Sequence, residues 1–221
     1  MNSLLEYASS LSRETKWYGD HNETSRNLFL KAGRLSMIYE NGNLRYISFG
    51  NHEVIRMIYS AVRDIEWLTV KPIISLEEFD LHPDSFRIIY RCQCISGDIN
   101  FSAHFTVEGN PDNSLILSFE GEAMKTFEKN RIGFCVLHPV ETCAGESCII
   151  RHSNDDLETS EFPQIISPYQ PFSDIKSMKW KIADHNCILD FYGDVFETED
   201  QQNWTDASYK TYSTPLNRPF P

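Results

Sequence analysis

Eight side chains able to move protons or read hydroxyl groups fall within fourteen residues: Glu197, Glu199, Asp200, Gln202, Asn203, Trp204, Asp206 and Lys210. Carboxylates accept hydrogen bonds from hydroxyls, amides both donate and accept, and an indole covers an apolar C–H face. Such a set suits a polyhydroxylated ligand. The other reading is a solvated acidic loop, but such a loop has no use for Trp204, Tyr209 and Tyr212 among its acids. If 206–210 turned helical, Asp206 and Lys210 would form an i,i+4 ion pair.

Two further groups stand out. In the run YSAVRDIEWLTV, Arg63, Asp64 and Trp67 meet at a strand end. They offer a guanidinium, a carboxylate and an indole to a polyol, or else form a surface ion pair beside a half-buried ring. In the run FCVLHPVETCAGESC, His138 ends an apolar stretch with Glu141 three residues on. Imidazole titrates nearest neutrality and suits general acid or base work. Its plain alternative is a ring that hydrogen-bonds a loop carbonyl.

His138, Cys143, Cys148 and His152 are zinc-compatible types, but they lack the short C-x2-C spacing. Positions 148 and 152 on one strand would stand ~13 Å apart. We therefore expect neither a metal nor another cofactor. Cys92 and Cys94, two apart on a strand, point to one face with poor disulfide geometry. All six cysteines read as free thiols.

The elements that must hold these groups are strands. Residues 35–39, 44–49, 54–61, 86–94, 99–108, 114–124, 132–137, 148–151, 178–183 and 187–192 are short and rich in β-branched and aromatic residues. Glu40-Asn41-Gly42-Asn43 is a two-residue hairpin signal. Turns are expected at 96–98, 109–113 and 184–186. In the run FSAHFTV, Phe101, Ala103, Phe105 and Val107 share one face, and Leu115, Leu117 and Phe119 alternate likewise. That is an antiparallel sheet with one face in a core. The more uniformly apolar 132–137 reads as a central strand, and 154–174 as a long loop. The fold class is all-β: a large antiparallel two-sheet sandwich of about a dozen strands.

Acids outnumber bases 32 to 20, a formal charge of −12. Such a surface repels phosphate backbones and anionic lipid, so we expect neither a nucleic-acid nor a membrane partner. The first twenty residues lack a basic region followed by an apolar run, so we expect a cytoplasmic address. Residues 1–26 form a polar lead-in with a short helix near 3–11. Residues 27–214 form one β-sandwich domain, and the Pro-rich 215–221 opens a linker.

Long stretches of the chain resemble the D-apionate lactonase family. The run GDVFETEDQQNWTDASYKTYSTPLNRPFP (193–221) resembles a motif of that family. GNHEVIRMIYSAVRDIEW (50–67), and RIGFCVLHP followed by CAG, resemble its N-terminal region in the same order. The resemblance implies a β-domain similar to the galactose-mutarotase supersandwich, followed by a barrel-like domain. It implies hydrolysis of D-apionolactone to D-apionate, with a sugar lactone or sugar acid as the ligand. By analogy with mutarotases, His138 and Glu199 are the expected acid and base, with Asp200 as an alternative base. Arg63, Asp64, Trp67, Asn203, Trp204, Asp206 and Lys210 are the expected substrate contacts. The alternatives are a stand-alone mutarotase-like epimerase or a carbohydrate-binding module.

Overall fold

The computed structural model describes residues 27–204 and 207–214. The reading of a helix near 3–11 and the substrate role of Asp206 lie outside them. The chain opens with a meander: Leu28–Ala32 (β1), Leu35–Glu40 (β2), Asn43–Phe49 (β3) and His52–Arg63 (β4). It leaves this sheet to form a second meander, Pro72–Leu81 (β5), Phe86–Ser96 (β6), Ile99–Gly109 (β7) and Leu115–Ala123 (β8). It returns as Arg131–Pro139 (β9), which pairs with β4. A four-residue helical turn, Val140–Cys143 (α1), then leads to Ser147–His152 (β10), Leu157–Glu161 (β11), Phe172–Ile182 (β12), His185–Asp190 (β13), Val195–Gln201 (β14) and Ser208–Thr214 (β15).

The large sheet has eleven strands in the order β1-β2-β3-β4-β9-β15-β14-β12-β10-β11, with β13 also pairing β12. The small sheet has the order β5-β6-β7-β8. Every described pairing is antiparallel. The expected two-sheet all-β architecture is thus present, and 132–137 lies in β9 between β4 and β15.

The core lies between the sheets. Phe101, Ala103, Phe105 and Val107 of β7 are buried, as their alternation predicts. Phe134 of β9 meets Phe105 at 6.0 Å and Phe119 at 5.4 Å, both edge-on. At the other side Tyr39 of β2 meets Tyr90 of β6 at 6.4 Å. The hairpin at Asn41-Gly42 forms with both φ angles positive, as its two-residue turn requires. A side chain at Gly42 would meet the Tyr90 ring at 3.1 Å. Tyr90 Oη donates to the Gly42 carbonyl at 2.9 Å, tying the two sheets together.

The structure corrects two local readings. The long loop expected over 154–174 contains β11 and the start of β12. β11, Leu-Glu-Thr-Ser-Glu, is an exposed edge strand without apolar alternation, which hid it. The tight turn expected at 184–186 falls at Ala183-Asp184, with Ala183 at φ 50°, and His185 and Asn186 already belong to β13. The acid-rich 195–201 and the Tyr- and Thr-rich 208–214, for which a solvated loop was the alternative reading, are adjacent strands inside the large sheet. Among the described residues no helix is long and apolar enough to cross a membrane.

Candidate functional site

Cross-strand partners share a face of a sheet, and a one-residue step changes face. The registers of β4, β9, β15 and β14 therefore sort the candidate residues into two sets. Met57, Leu137, Lys210 and Glu199 stand side by side across the four strands, and so do Tyr59, Cys135, Tyr212 and Glu197. Arg63 opposes Arg131 on the same face. Phe134 packs against the small sheet, so this row of odd-numbered β9 residues faces away from it. The opposite rows, Ile58–Val136–Thr211–Thr198 and His138–Tyr209–Asp200, belong to the core side.

His138 is wholly buried. Its ring lies 5.5 Å from that of Phe162 and 5.4 Å from that of Trp180, and its Nε2 sits 2.8 Å from Thr211 Oγ1. Thr211 is linked in turn to Thr198 at 2.8 Å. Burial alone pushes the imidazole down to about 3, because no countercharge stabilises the protonated ring. The acid–base pair expected of His138 and Glu199 is not assembled: their side chains leave the sheet on opposite faces.

The outward face holds charge. Arg131 is 3% exposed and Lys210 7% exposed. The Arg131 guanidinium lies 3.6 Å from the Tyr212 ring centre and 4.5 Å from that of Trp67. Its Nη2 comes within 3.9 Å of Glu197 Oε1. Lys210 Nζ lies 5.6 Å from the Tyr212 ring centre. Burial pushes the Lys210 ammonium below its ordinary value and Arg63 and Arg131 add to this, while Cys135 and Glu199 oppose it. Burial pushes the Cys135 thiol up, against the pull of Lys210, Tyr59, Arg63 and Arg131. Burial, Glu199 and Glu197 raise the Tyr212 phenol, so it stays a neutral donor.

The other expected residues divide between this face and supporting roles. Arg63 Nη1 donates to the Trp67 carbonyl at 2.7 Å, holding the turn that carries the indole. Asp64 Oδ1 accepts from the backbone N–H groups of Glu66 and Leu68, both at 2.9 Å. That carboxylate organises the turn that positions Trp67. Asp200 accepts from Ser167 N at 2.8 Å, Gln202 N at 3.1 Å and Gln202 Nε2 at 3.0 Å, tying the 162–171 segment to the β14 end. Asn203 and Trp204, in the β14–β15 turn, line a cleft of about 340 Å3 with Glu199, Asp200 and Tyr169. Glu199 belongs to both the cleft and the charged face, and accepts from Gln201 Nε2 at 2.9 Å.

Glu197 and Tyr212, which the sequence places in its acidic and aromatic cluster, complete the face together with Arg131, Tyr59 and Cys135, and these last three were not named from sequence as site residues. Their signal was parity: Arg131, Gly133 and Cys135 alternate with the core-facing residues of an apolar run. The six cysteines are free. The Cys92 and Cys94 thiols share the core face, 3.8 Å apart. Among the described residues no three His, Cys, Asp or Glu side chains cluster as a metal site.

As a chemical surface, the face offers two guanidiniums, an ammonium and phenolic donors beside two carboxylates, with flat rings for apolar contact. That combination fits a small polyhydroxylated ligand. Comparisons with known proteins give the arrangement a context. The family described as D-apionate lactonase, N-terminal domain, matches residues 15–221. The D-apionate lactonase of Brucella anthropi is 34% identical over 208 residues, covering 92% of this chain and 34% of the relative. The chain spans about a third of the length of the curated relative it matches.

Proposed function

Because this chain belongs to the D-apionate lactonase N-terminal domain family, we propose that it is the sugar-binding β-domain of an enzyme that hydrolyses D-apionolactone to D-apionate. In this reading 27–214 is a domain of galactose-mutarotase-like architecture. Residues 1–26 lead into it, and 215–221 begin a connection to a barrel-like domain that it assists. The protein works in the cytoplasm, in breakdown of the branched sugar, without a metal or organic cofactor. The observation that carries the reading is the outward face: Glu199 opposite Lys210, and Glu197 near Arg131, with Glu199 also lining the cleft at the end of β14.

A second reading makes the domain catalytic. Lactone hydrolysis needs an activated water, a stabilised oxyanion and a protonated leaving alkoxide. Glu199 beside Lys210 favours this reading, with the carboxylate as base and the ammonium near the oxyanion. An epimerase using His138 and Glu199 together is disfavoured by their opposite faces.

Incubating the folded 221-residue chain with D-apionolactone tests both. The accessory reading expects binding of D-apionate or its lactone, and hydrolysis no faster than the buffer blank. Hydrolysis above the blank, lost in Glu199→Gln, would replace it with the catalytic reading. A folded chain that neither binds nor hydrolyses would sink the sugar-binding assignment.

A further inference from the structure

Resting on that reading of the face, we propose that Arg131 and Arg63 form a carboxylate site roofed by Trp67, which takes the acid end of an open-chain sugar acid in preference to the uncharged lactone. The first observation is the pairing itself. Arg63 and Arg131 are direct cross-strand partners on one face. Like charges at such positions repel each other, and an anion between them removes the conflict.

The second observation is an unsatisfied donor. Arg131 is 3% exposed, and its buried Nη2 has no hydrogen-bond partner among the described residues. The nearby Glu197 oxygen, at 3.9 Å, is beyond hydrogen-bond range. Arg131 Nε donates to Asn130 Oδ1 at 3.4 Å and Glu197 supplies a countercharge, but a buried N–H without a hydrogen bond is still costly, and a guanidinium is matched to a carboxylate by its planar fork of N–H groups. With Tyr212 and Trp67 against the guanidinium, such stacking leaves its N–H edges to bind in the plane.

Charge and access agree. Arg63, Arg131 and Lys210 outnumber Glu197 and Glu199 on this face, and the Cys135 thiol, pushed up by burial, adds no negative charge. The roof is a single ring, 44% exposed, on a turn with Trp67 at φ 70°. Of the two rings against the guanidinium Trp67 is the solvent-facing one, Tyr212 being buried, and a ligand would enter by displacing it. Ring opening of a lactone creates the carboxylate that this site recognises, so the site separates product from substrate.

Calorimetric titration of the 221-residue chain with sodium D-apionate, with the uncharged alditol of the same skeleton and with sodium acetate tests the proposal, alongside tryptophan fluorescence. The acid is expected to bind at least about tenfold tighter than the alditol, the difference one charge-assisted hydrogen bond makes. Its fluorescence change should vanish in Trp67→Phe. Arg131→Gln should reduce the preference for the acid to below about threefold, and Arg131→Lys should recover only part of it, since a point charge lacks the planar fork. Should Arg131→Gln fail to fold, Arg63→Gln at the half-buried partner serves the same purpose. Equal affinity for acid and alditol would overturn the carboxylate site while leaving a sugar site standing. An acid preference that survives loss of either arginine, or acetate binding as tight as D-apionate, would overturn it as well.

Discussion

His138 and Lys210 sit on neighbouring strands of one sheet, one register step apart, and burial acts on both in the same direction. The outcomes differ because the faces differ. Around His138 the core offers the hydroxyls of Thr211 and Thr198 and the rings of Phe162 and Trp180. None can balance a positive charge, so the imidazole is held neutral. Around Lys210 the outward face supplies Glu199 directly opposite, while Arg63 and Arg131 compete for the same negative charge. Isolated charge is removed on one side of the sheet; on the other it is kept in company. Ion-based recognition can happen only on the second.

The largest expected effect tests the core side. Phe162 is wholly buried and meets His138, Phe172, Trp180 and Tyr209 ring to ring. Phe162→Ala should lower the free energy of unfolding by about 3–5 kcal/mol, read in urea, because the rings cannot fully close the void. While the variant is folded, its affinity for D-apionate should stay within about twofold of the parent, because the change lies behind the sheet. A large loss of affinity would mean that the two faces are not independent.

Next comes pH. The folded His138 titrates at about 3, below its unfolded value, so between the two values the unfolded chain binds the extra proton. Stability from this group is therefore fully present above ~6.5 and is lost as pH falls from there toward 3. Between pH 7 and pH 4.5 the loss should be about 2–3 kcal/mol. Carboxylates titrate in that window too, so the measurement is the difference between parent and His138→Gln. The variant should keep a partner for Thr211 and show a shallower pH dependence by that amount. Equal slopes would place a charge-balancing group near His138 and erase the contrast between the faces.

Lys210→Met sharpens the other side. Burial already disfavours the ammonium, and methionine matches the aliphatic stem without the charged end, so stability should change by less than about 1 kcal/mol. Affinity for D-apionate should nevertheless fall roughly tenfold, as expected for loss of a charge-assisted contact. If stability collapses instead, the lysine is a structural element of the sheet rather than part of a recognition face.

The same contrast explains what could be read from sequence. β7 was legible because one face is apolar and the other polar, so its period of two is visible in Phe101, Ala103, Phe105 and Val107. β14 and β15 were not, because their core rows carry Thr198, Asp200 and Thr211 and their outward rows Glu197, Glu199 and Lys210. With polar groups on both faces there is no alternation, and the segments resemble a loop. Conversely, Arg131 and Cys135 were hidden inside a run whose apolar character suggested only packing. Glu199, Lys210, Arg63 and Trp67 were picked by chemical type and do share a neighbourhood, across strands that only the folded register could bring together. His138 was picked by type as well, but its face depends on a parity that apolar neighbours on both sides conceal.

Asp64 gives the smallest and most discriminating test. By residue type it suits a substrate contact; in the structure its Oδ1 holds the N–H groups of Glu66 and Leu68, a common way for aspartate to fix a turn. Asp64→Ala should cost about 1 kcal/mol, or roughly 2–4 °C in Tm, because the freed donors can turn to water. Asp64→Asn retains an acceptor oxygen and should lie close to the parent. Because the turn carries Trp67 over Arg131, the alanine variant should also shift the Trp67 fluorescence and weaken D-apionate binding only a few-fold. If instead Asp64→Ala and Asp64→Asn both abolish binding with stability and Trp67 emission unchanged, the carboxylate touches the ligand, and the turn is itself part of the recognition face.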